Sequence, residues 1–447
     1  YLVYVLGAHL CQEPRNGRAL GAALVFAINP RQSEAVAWIS GRGDVVCTTF
    51  SLTTLLLALK GRAGWRPLTA QILSVFSFIL ALASKEMAVT LPIVLLVLHV
   101  VERPPALRAP AALIKGVIHY LPHLLVLGGY FFWRLHVLGG LGGYNPAAMF
   151  RHRSVVISAV YYLGTLLLPL PVESLKPYFR EHVSLLVGLS LGLTVLGAVA
   201  GYYVYKHVRR SRFIIFGAIL LVVSLLPVLK MTAERFLYLP SVGFVLIVTA
   251  LLRDMARGLS RWRPWPWLGV MVVALILSYG GLLAYKNHLW HRAGDLVWTV
   301  DQQLIPLVPT WPPRSAVFFI GLPDNLRGAQ VLRNGLPELV RLRGGEAVRV
   351  YPLVYANIKD AERFQAQARR LGPWEFRYEI LQGGTVANRP PFDRQGHLEI
   401  PTAIIDVKER NQQALPRAVR VEIKPEAAAG GPPLVLSFSQ GAIQRIR

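Results

Sequence analysis

The sequence predicts a polytopic α-helical membrane protein of about ten spans, with one further interfacial or re-entrant segment and a C-terminal soluble α/β domain. Three observations carry this. Of 447 residues, 53% are hydrophobic and only 16% charged, where soluble domains carry about a quarter charged, and the mean hydropathy is +0.43. Long apolar runs recur from Tyr1 to Tyr285 and stop there. Basic residues outnumber acidic ones, 48 to 24, and 27 of the basic against 9 of the acidic lie up to Lys286. Basic loops between apolar runs point to cytoplasmic loops and anionic lipid. Nucleic acid is not expected as a partner, because no basic helix or ribbon on a folded domain is evident. Cys11 and Cys47 are too few for a disulfide framework.

A span takes about 20 apolar residues, fewer for broken helices inside a bundle. The runs are Tyr1–Cys11, Ala19–Asn29, Val45–Leu59, Leu68–Ala83, Ala88–Val101, Gly116–Leu135, Val183–Tyr205, Phe213–Leu229, Phe236–Leu252 and Trp267–Tyr285. Val155–Leu170 is apolar too but ends in Pro169 and Pro171. Tyr1–Leu10 lacks a charged n-region and reads as the tail of a longer membrane domain, not as a signal peptide.

Five basic clusters set the orientation: Arg15 and Arg18; Lys60, Arg62 and Arg66; Arg103, Arg108 and Lys115; Lys206 to Arg212; and Arg253 to Arg263. All five fall on the cytoplasmic side if Val155–Leu170 does not fully cross. The protein is then integral and multi-pass, with residues 1–286 as the membrane domain and 287–447 as an extracytoplasmic one. In that outer domain Ala316–Ile320, Val348–Tyr355, Glu399–Val407, Ala418–Ile423 and Leu434–Phe438 read as strands. Lys359–Leu371 has helical spacing through Ala361, Phe364, Ala368 and Leu371. Gly383-Gly384, Pro390-Pro391 and Gly430 to Pro433 mark turns.

Ionisable residues at membrane depth cost about 2.5–3.5 kcal/mol and default to functional hypotheses. Three outward-facing clusters qualify: Asn29 to Val36 with Gly41-Arg42-Gly43-Asp44, Ser84-Lys85-Glu86-Met87, and Lys230 to Pro240 with Glu234, Arg235 and Tyr238. The alternative for these residues is a boundary ion-pair network with snorkelling side chains. His119 and His123 are one helical turn apart, a spacing that can chelate metal, but no third ligand is evident and packing is favoured. His288 and His291 flank Trp290 as interfacial residues.

At these clusters the chain resembles the transmembrane and TPR-containing protein O-mannosyltransferases, polytopic GT-C glycosyltransferases. Glu34-Ala-Val, Gly41-Arg42-Gly43-Asp44, Ser84-Lys85-Glu86, Glu234-Arg235-Phe-Leu-Tyr238-Leu-Pro240, and Asn287 with Trp290 occur in the family's order. The match covers about Tyr1 to Asp295, and the chain reads as a bacterial-like relative without the TPR array. The resemblance implies inverting transfer of a mannose-like sugar from a polyprenyl-phosphate donor to an extracytoplasmic acceptor hydroxyl, on a protein or a glycan.

It also implies that Lys85 and Arg235 bind the donor phosphate and that Tyr238 donates a hydrogen bond to it, with fixed cations stabilising the departing phosphate. Glu34, Arg42, Asp44, Glu86 and Glu234 are expected to orient these groups. The family's histidines are replaced by Asn29 and Gln32, and its acidic pair is expected before Tyr1. The catalytic base is therefore expected upstream, with Glu34 as the fallback, and a chain beginning at Tyr1 is expected to bind donor but to transfer poorly. No metal ligand is assigned, so any divalent metal is left without a site. The alternatives are a transporter or flippase of a lipid-linked anion using the same two cations, or a non-catalytic membrane scaffold.

Overall fold

The computed structural model describes residues 1–11, 17–101, 110–140, 152–167, 188, 212–229, 231–260, 266–345, 347–387, 392–393, 395–412, 414–428 and 433–446. The chain divides into two compact units, with the boundary between Ala284 and Tyr285.

The first unit is helical. Its elements are α1 (Leu2–Cys11), α2 (Gly17–Ala27), α3 (Ser33–Ala37), α4 (Arg42–Arg62), α5 (Pro67–Ser84), α6 (Leu91–Val101), α7 (Pro110–His119), α8 (Leu121–Leu138), α9 (His152–Leu167), α10 (Arg212–Leu225) and α11 (Tyr238–Ser260). α12 (Pro266–Leu307) contains the boundary between the units. Among the described residues three helices are long and apolar enough to cross a membrane: Ile39–Arg62, Pro67–Ser84 and Glu234–Arg253. Shorter apolar helices run over Gly17–Ala27, Glu86–His99 and Phe213–Val228. The sequence count of about ten thus goes beyond the three that length and apolarity support here, and Val183–Tyr205 lies outside the described residues apart from Gly188.

The α5 helix shows the patterning of a lipid-facing span. Ile72, Phe76 and Ile79, spaced one to two turns apart, are exposed, while Ala70, Ser74, Ser77, Phe78 and Ala81 are buried. Apolar residues outward and small residues inward is the inverse of a soluble helix, and small residues let backbones approach. The buried hydroxyls are satisfied across helices: Ser74 donates to the Thr54 carbonyl at 3.0 Å and Ser77 to that of Phe50 at 3.0 Å.

His123 of α8 is fully buried, with its Nε2 3.0 Å from Ser74 Oγ and its ring 5.7 Å from that of Phe78. Within α9, Tyr162 and Leu166 are buried, and the Tyr162 hydroxyl donates to the Met231 carbonyl.

Among its described residues the second unit holds eleven strands in two sheets that share one apolar core. The first sheet runs β11 (Ala442–Arg445), β10 (Leu434–Ser439), β1 (Ala316–Leu326), β3 (Arg349–Ile358) and β6 (Gly384–Ala387), with β2 (Ala329–Gln330) beside β1. β1 is parallel to both β10 and β3. Parallel neighbours need a crossover, and α13 (Leu336–Leu342) lies in the one from β1 to β3. The second sheet is antiparallel throughout: β4 (Gln365–Arg370), β5 (Glu375–Gln382), β9 (Pro416–Ile423), β8 (Ala403–Arg410) and β7 (His397–Ile400).

Two expectations are corrected. The helix expected over Lys359–Leu371 is a turn followed by β4. Asp360 accepts the backbone N–H groups of Glu362 and Arg363 at 3.1 and 3.3 Å, which closes the turn. Ala366 and Ala368 then pair with Ile380 and Tyr378 of β5 at the two-residue period of a strand. The single strand expected over Glu399–Val407 is a hairpin of β7 and β8, broken at Pro401 and Thr402 because proline cannot donate to the ladder. The α/β expectation therefore resolves into a sheet-dominated unit in which, among the described residues, one short α-helix (Leu336–Leu342) and one 3-10 turn (Pro425–Ala428) lie between strands. Pro390-Pro391 and Gly430 to Pro432 lie outside the described residues.

Candidate functional site

Four helices of the first unit begin in the same way: an extended residue, one turn of 3-10 helix, then the α-helix. Asn29 precedes Pro30–Gln32 and α3, Trp38 precedes Ile39–Gly41 and α4, Lys85 precedes Glu86–Thr90 and α6, and Ala233 precedes Glu234–Leu237 and α11. Short 3-10 turns are common at helix ends, where they satisfy orphan backbone groups. At the first start the Asn29 side chain accepts the Arg31 N–H at 3.0 Å, with Pro30 already held in a compatible φ. The polar residues of the three sequence clusters sit on or beside these starts, except Lys230, which lies outside the described residues.

The structure brings the clusters together by ion pairs between distant parts of the chain. Lys85 Nζ donates to Asp44 Oδ2 at 2.6 Å, and Arg235 Nε lies 4.0 Å from the same oxygen. Arg235 also donates to Glu34 twice, from its guanidinium at 2.5 Å and from its backbone N–H at 3.1 Å. That places a carboxylate at the N-terminal end of the helical run leading into α11, where the helix dipole favours it. Arg31 donates to Glu234 Oε1 at 2.8 Å, with side chains only 2% and 7% exposed.

Both cations also lie over one ring. Phe236 is 5.1 Å from Lys85 Nζ and 4.6 Å from the Arg235 guanidinium carbon, and Trp38 is 5.0 Å from that carbon on Arg235. Two cations from separate helix starts thus converge on one aromatic floor, held by Asp44 and Glu34. Chemically this is a fixed, partly accessible pair of cations in a poorly hydrated setting, suited to an anion with several oxygens.

The pairing differs from what chain order suggests. Glu86 and Glu234 neighbour Lys85 and Arg235 in sequence, but the carboxylates those cations meet are Asp44 and Glu34. Arg42 is exposed and Glu86 half-buried, and neither joins an ion pair among the described residues. The Tyr238 ring packs edge-to-face on Phe26 at 5.6 Å instead of joining the cation cluster. Both oxygens of Glu34 are engaged by Arg235. Asn29 and Gln32 are buried, and Asn29 acts as the cap of the first 3-10 turn.

Gly41 has a spatial reason: a Cβ there would fall 2.8 Å from the Glu34 carbonyl oxygen, so a side chain would separate the turn carrying Glu34 from the start of α4. Sequence reasoning gave no role to Trp38 or Phe236, and it had Arg31 only as a neighbour of Glu34 in the first cluster. A signal for Arg31 was available, since Arg31 with Glu34 and Glu234 with Arg235 are complementary charge pairs on two different helix starts.

The chain is distantly similar to named enzymes. It is 26% identical over 367 residues to the protein O-mannosyl-transferase TMTC4 of Homo sapiens, which covers 72% of this chain and 48% of that protein. It is 25% identical over 258 residues to the protein O-mannosyl-transferase F38B6.6 of Caenorhabditis elegans, covering 53% of this chain and 35% of that one. The TMTC4 protein of Mus musculus is 24% identical over 356 residues, covering 69% and 47%. The chain therefore spans between a third and a half of the length of these curated relatives. No protein-family profile matches, and no solved structure matches. With three helices among its described residues long and apolar enough to cross a membrane, the chain reads as a membrane protein whose distant relatives are O-mannosyltransferases.

Proposed function

We propose that this chain is the donor-binding part of a membrane glycosyltransferase that moves a mannose-like sugar, with inversion, from a polyprenyl-phosphate donor to an extracytoplasmic acceptor hydroxyl. The observation that carries the reading is the convergence of Lys85 and Arg235 over Phe236, each held by its own carboxylate. The similarity to protein O-mannosyl-transferases supports the reaction class.

In this reading the phosphate oxygens take the remaining donors of the two cations. Lys85 acts as a point charge, and Arg235 offers a planar fork with two-point geometry. As the sugar–phosphate bond breaks, negative charge grows on the phosphate, and cations already fixed by Asp44 and Glu34 stabilise it without rearranging. Arg42 and Glu86 join neither of these ion pairs and Tyr238 packs on Phe26, so in this reading the three act on the donor from the rim of the cluster.

Replacing Lys85 or Arg235 with Ala removes one fixed charge facing the leaving group. Loss of such a donor costs about 2.7–4 kcal/mol, or about 10²–10³ in rate. Release of lipid phosphate from a polyprenyl-phosphate mannose, followed for the full-length protein in membranes with matched expression, is expected to fall by that factor in each variant. Wild-type turnover in both variants overturns the assignment.

A further inference from the structure

Both cations of the candidate site lean on one carboxylate oxygen. Asp44 Oδ2 lies 2.6 Å from Lys85 Nζ and 4.0 Å from Arg235 Nε. The side chains of Lys85 and Arg235 are 15% and 19% exposed, whereas that of Asp44 is 1% exposed. An anion therefore reaches the cations from their open side and meets a negative charge beneath them. Glu34 has both oxygens engaged by Arg235, but among the described residues no hydrogen bond reaches Asp44 Oδ1. The charge of Asp44 is thus held by two cations through one oxygen and is spread no further.

A neutral acceptor would serve Lys85 equally well as a hydrogen-bond partner. What a carboxylate adds is a fixed opposing charge, and its repulsion grows with the charge of the anion. The reaction proposed above changes that charge. When the bond between sugar C1 and the phosphate oxygen breaks, its electron pair stays on the phosphate, while the acceptor oxygen bonds C1 and gives up its proton. A phosphodiester with one negative charge becomes a phosphate monoester that carries close to two above its second pKa of about 6.

We propose that Asp44 is a specificity-determining residue of the anion site: it favours the singly charged lipid phosphodiester over the doubly charged lipid phosphate, so that the product does not hold the site. The inference rests on the reading of Lys85 and Arg235 as phosphate ligands. Two cations in direct contact with the phosphate outweigh one carboxylate beneath them, so charge growing on the leaving group is still stabilised. The finished dianion, however, gains less than it would from the same cations without Asp44.

The test is equilibrium binding of farnesyl phosphate and of its methyl ester to the full-length protein in a nonionic detergent, at about pH 8, above the second phosphate pKa. The two ligands differ by one charge and one methyl group. The wild type is expected to bind the methyl ester at least as tightly as the monoester. Asp44→Asn, which keeps an acceptor for Lys85, is expected to move the preference about tenfold toward the monoester. Loss of positioning alone weakens both ligands alike, so an unchanged ratio in this variant overturns the inference. If Asp44→Asn fails to fold, the wild type decides, since a preference of about tenfold or more for the monoester overturns it equally. Arg235→Ala separates the two layers. Normal binding of both ligands by that variant overturns the phosphate reading itself, whereas loss of both beside an unchanged ratio in Asp44→Asn overturns only the role of Asp44.

Discussion

Lys85 and Arg235 owe their fixed positions to carboxylates that lie 41 and 201 residues away along the chain. Fixing long side chains in this way removes rotamer freedom before a ligand arrives, and preorganisation of that kind lowers the entropic cost of binding. The same physics, at far lower strength, operates on the surface of the second unit. His397 Nδ1 lies 2.8 Å from Asp406 Oδ1, and its backbone N–H donates to Asp393. The hydrogen bond to Asp406 favours the imidazolium, so the pKa of His397 is raised above its ordinary value of 6.5. A raised folded-state pKa stabilises the fold below the unfolded value, and that contribution is lost as pH rises through the folded value. The group is exposed, so the effect on stability is small. NMR titration of the His397 ring is expected to show the upward shift, and Asp406→Asn to bring the midpoint back toward the ordinary value. An unchanged midpoint in that variant removes Asp406 as the cause.

The four helix starts are the unit from which the site is made. Each turns the chain through an extended residue and a 3-10 turn, so that polar groups are concentrated where the apolar helices begin. The helices behind them need close contact to hold these starts in register. α10 and α11 achieve it through Gly217 and Gly243. A Cβ on Gly243 would fall 2.3 Å from the Gly217 carbonyl oxygen and 2.7 Å from the Leu221 nitrogen. Gly243→Ala therefore pushes two backbones apart, and overpacking of this kind costs about 1–3 kcal/mol. Thermal unfolding in detergent is expected to show a lower Tm for this variant, and an unaltered Tm means that the crossing is looser than the structure has it. In the second unit, the segment Lys359–Leu371 shows the opposite relation between pattern and element. Its apolar residues satisfy a helical period, yet pairing of Ala366 and Ala368 with β5 decides the conformation, because strand hydrogen bonds come from a partner outside the segment.

At the scale of the whole chain, the basic clusters around Lys60 and around Arg253 precede the apolar run Trp267–Tyr285, after which the second unit begins in the sequence. Loop charge favours the cytoplasm for these clusters. Our proposal that the second unit is extracytoplasmic makes a direct prediction. Reporter domains fused at Gly258 and after Arg447 are expected to report opposite sides of the membrane. Cytoplasmic signals from both would place the second unit away from an extracytoplasmic acceptor and remove the proposed topology.

Much of this architecture was legible because it is local or compositional. Apolar runs such as Leu68–Ala83, the end of apolarity near Tyr285, and β-branched strands such as Ala418–Ile423 are properties of short windows, and hydrophobic burial acts on such windows directly. The three polar clusters were legible for a related reason, since a charge between apolar runs stands out wherever it sits. What the sequence could not determine was partnership. Glu86 and Glu234 are the nearest carboxylates to Lys85 and Arg235 in the chain, but Asp44 and Glu34 are the nearest in space. Only tertiary packing decides which helix starts meet, because an ion pair depends on distance through space and carries no signature along the chain. The same reason hid Trp38 and Phe236, whose roles exist only after the starts of α4 and α11 have been brought together.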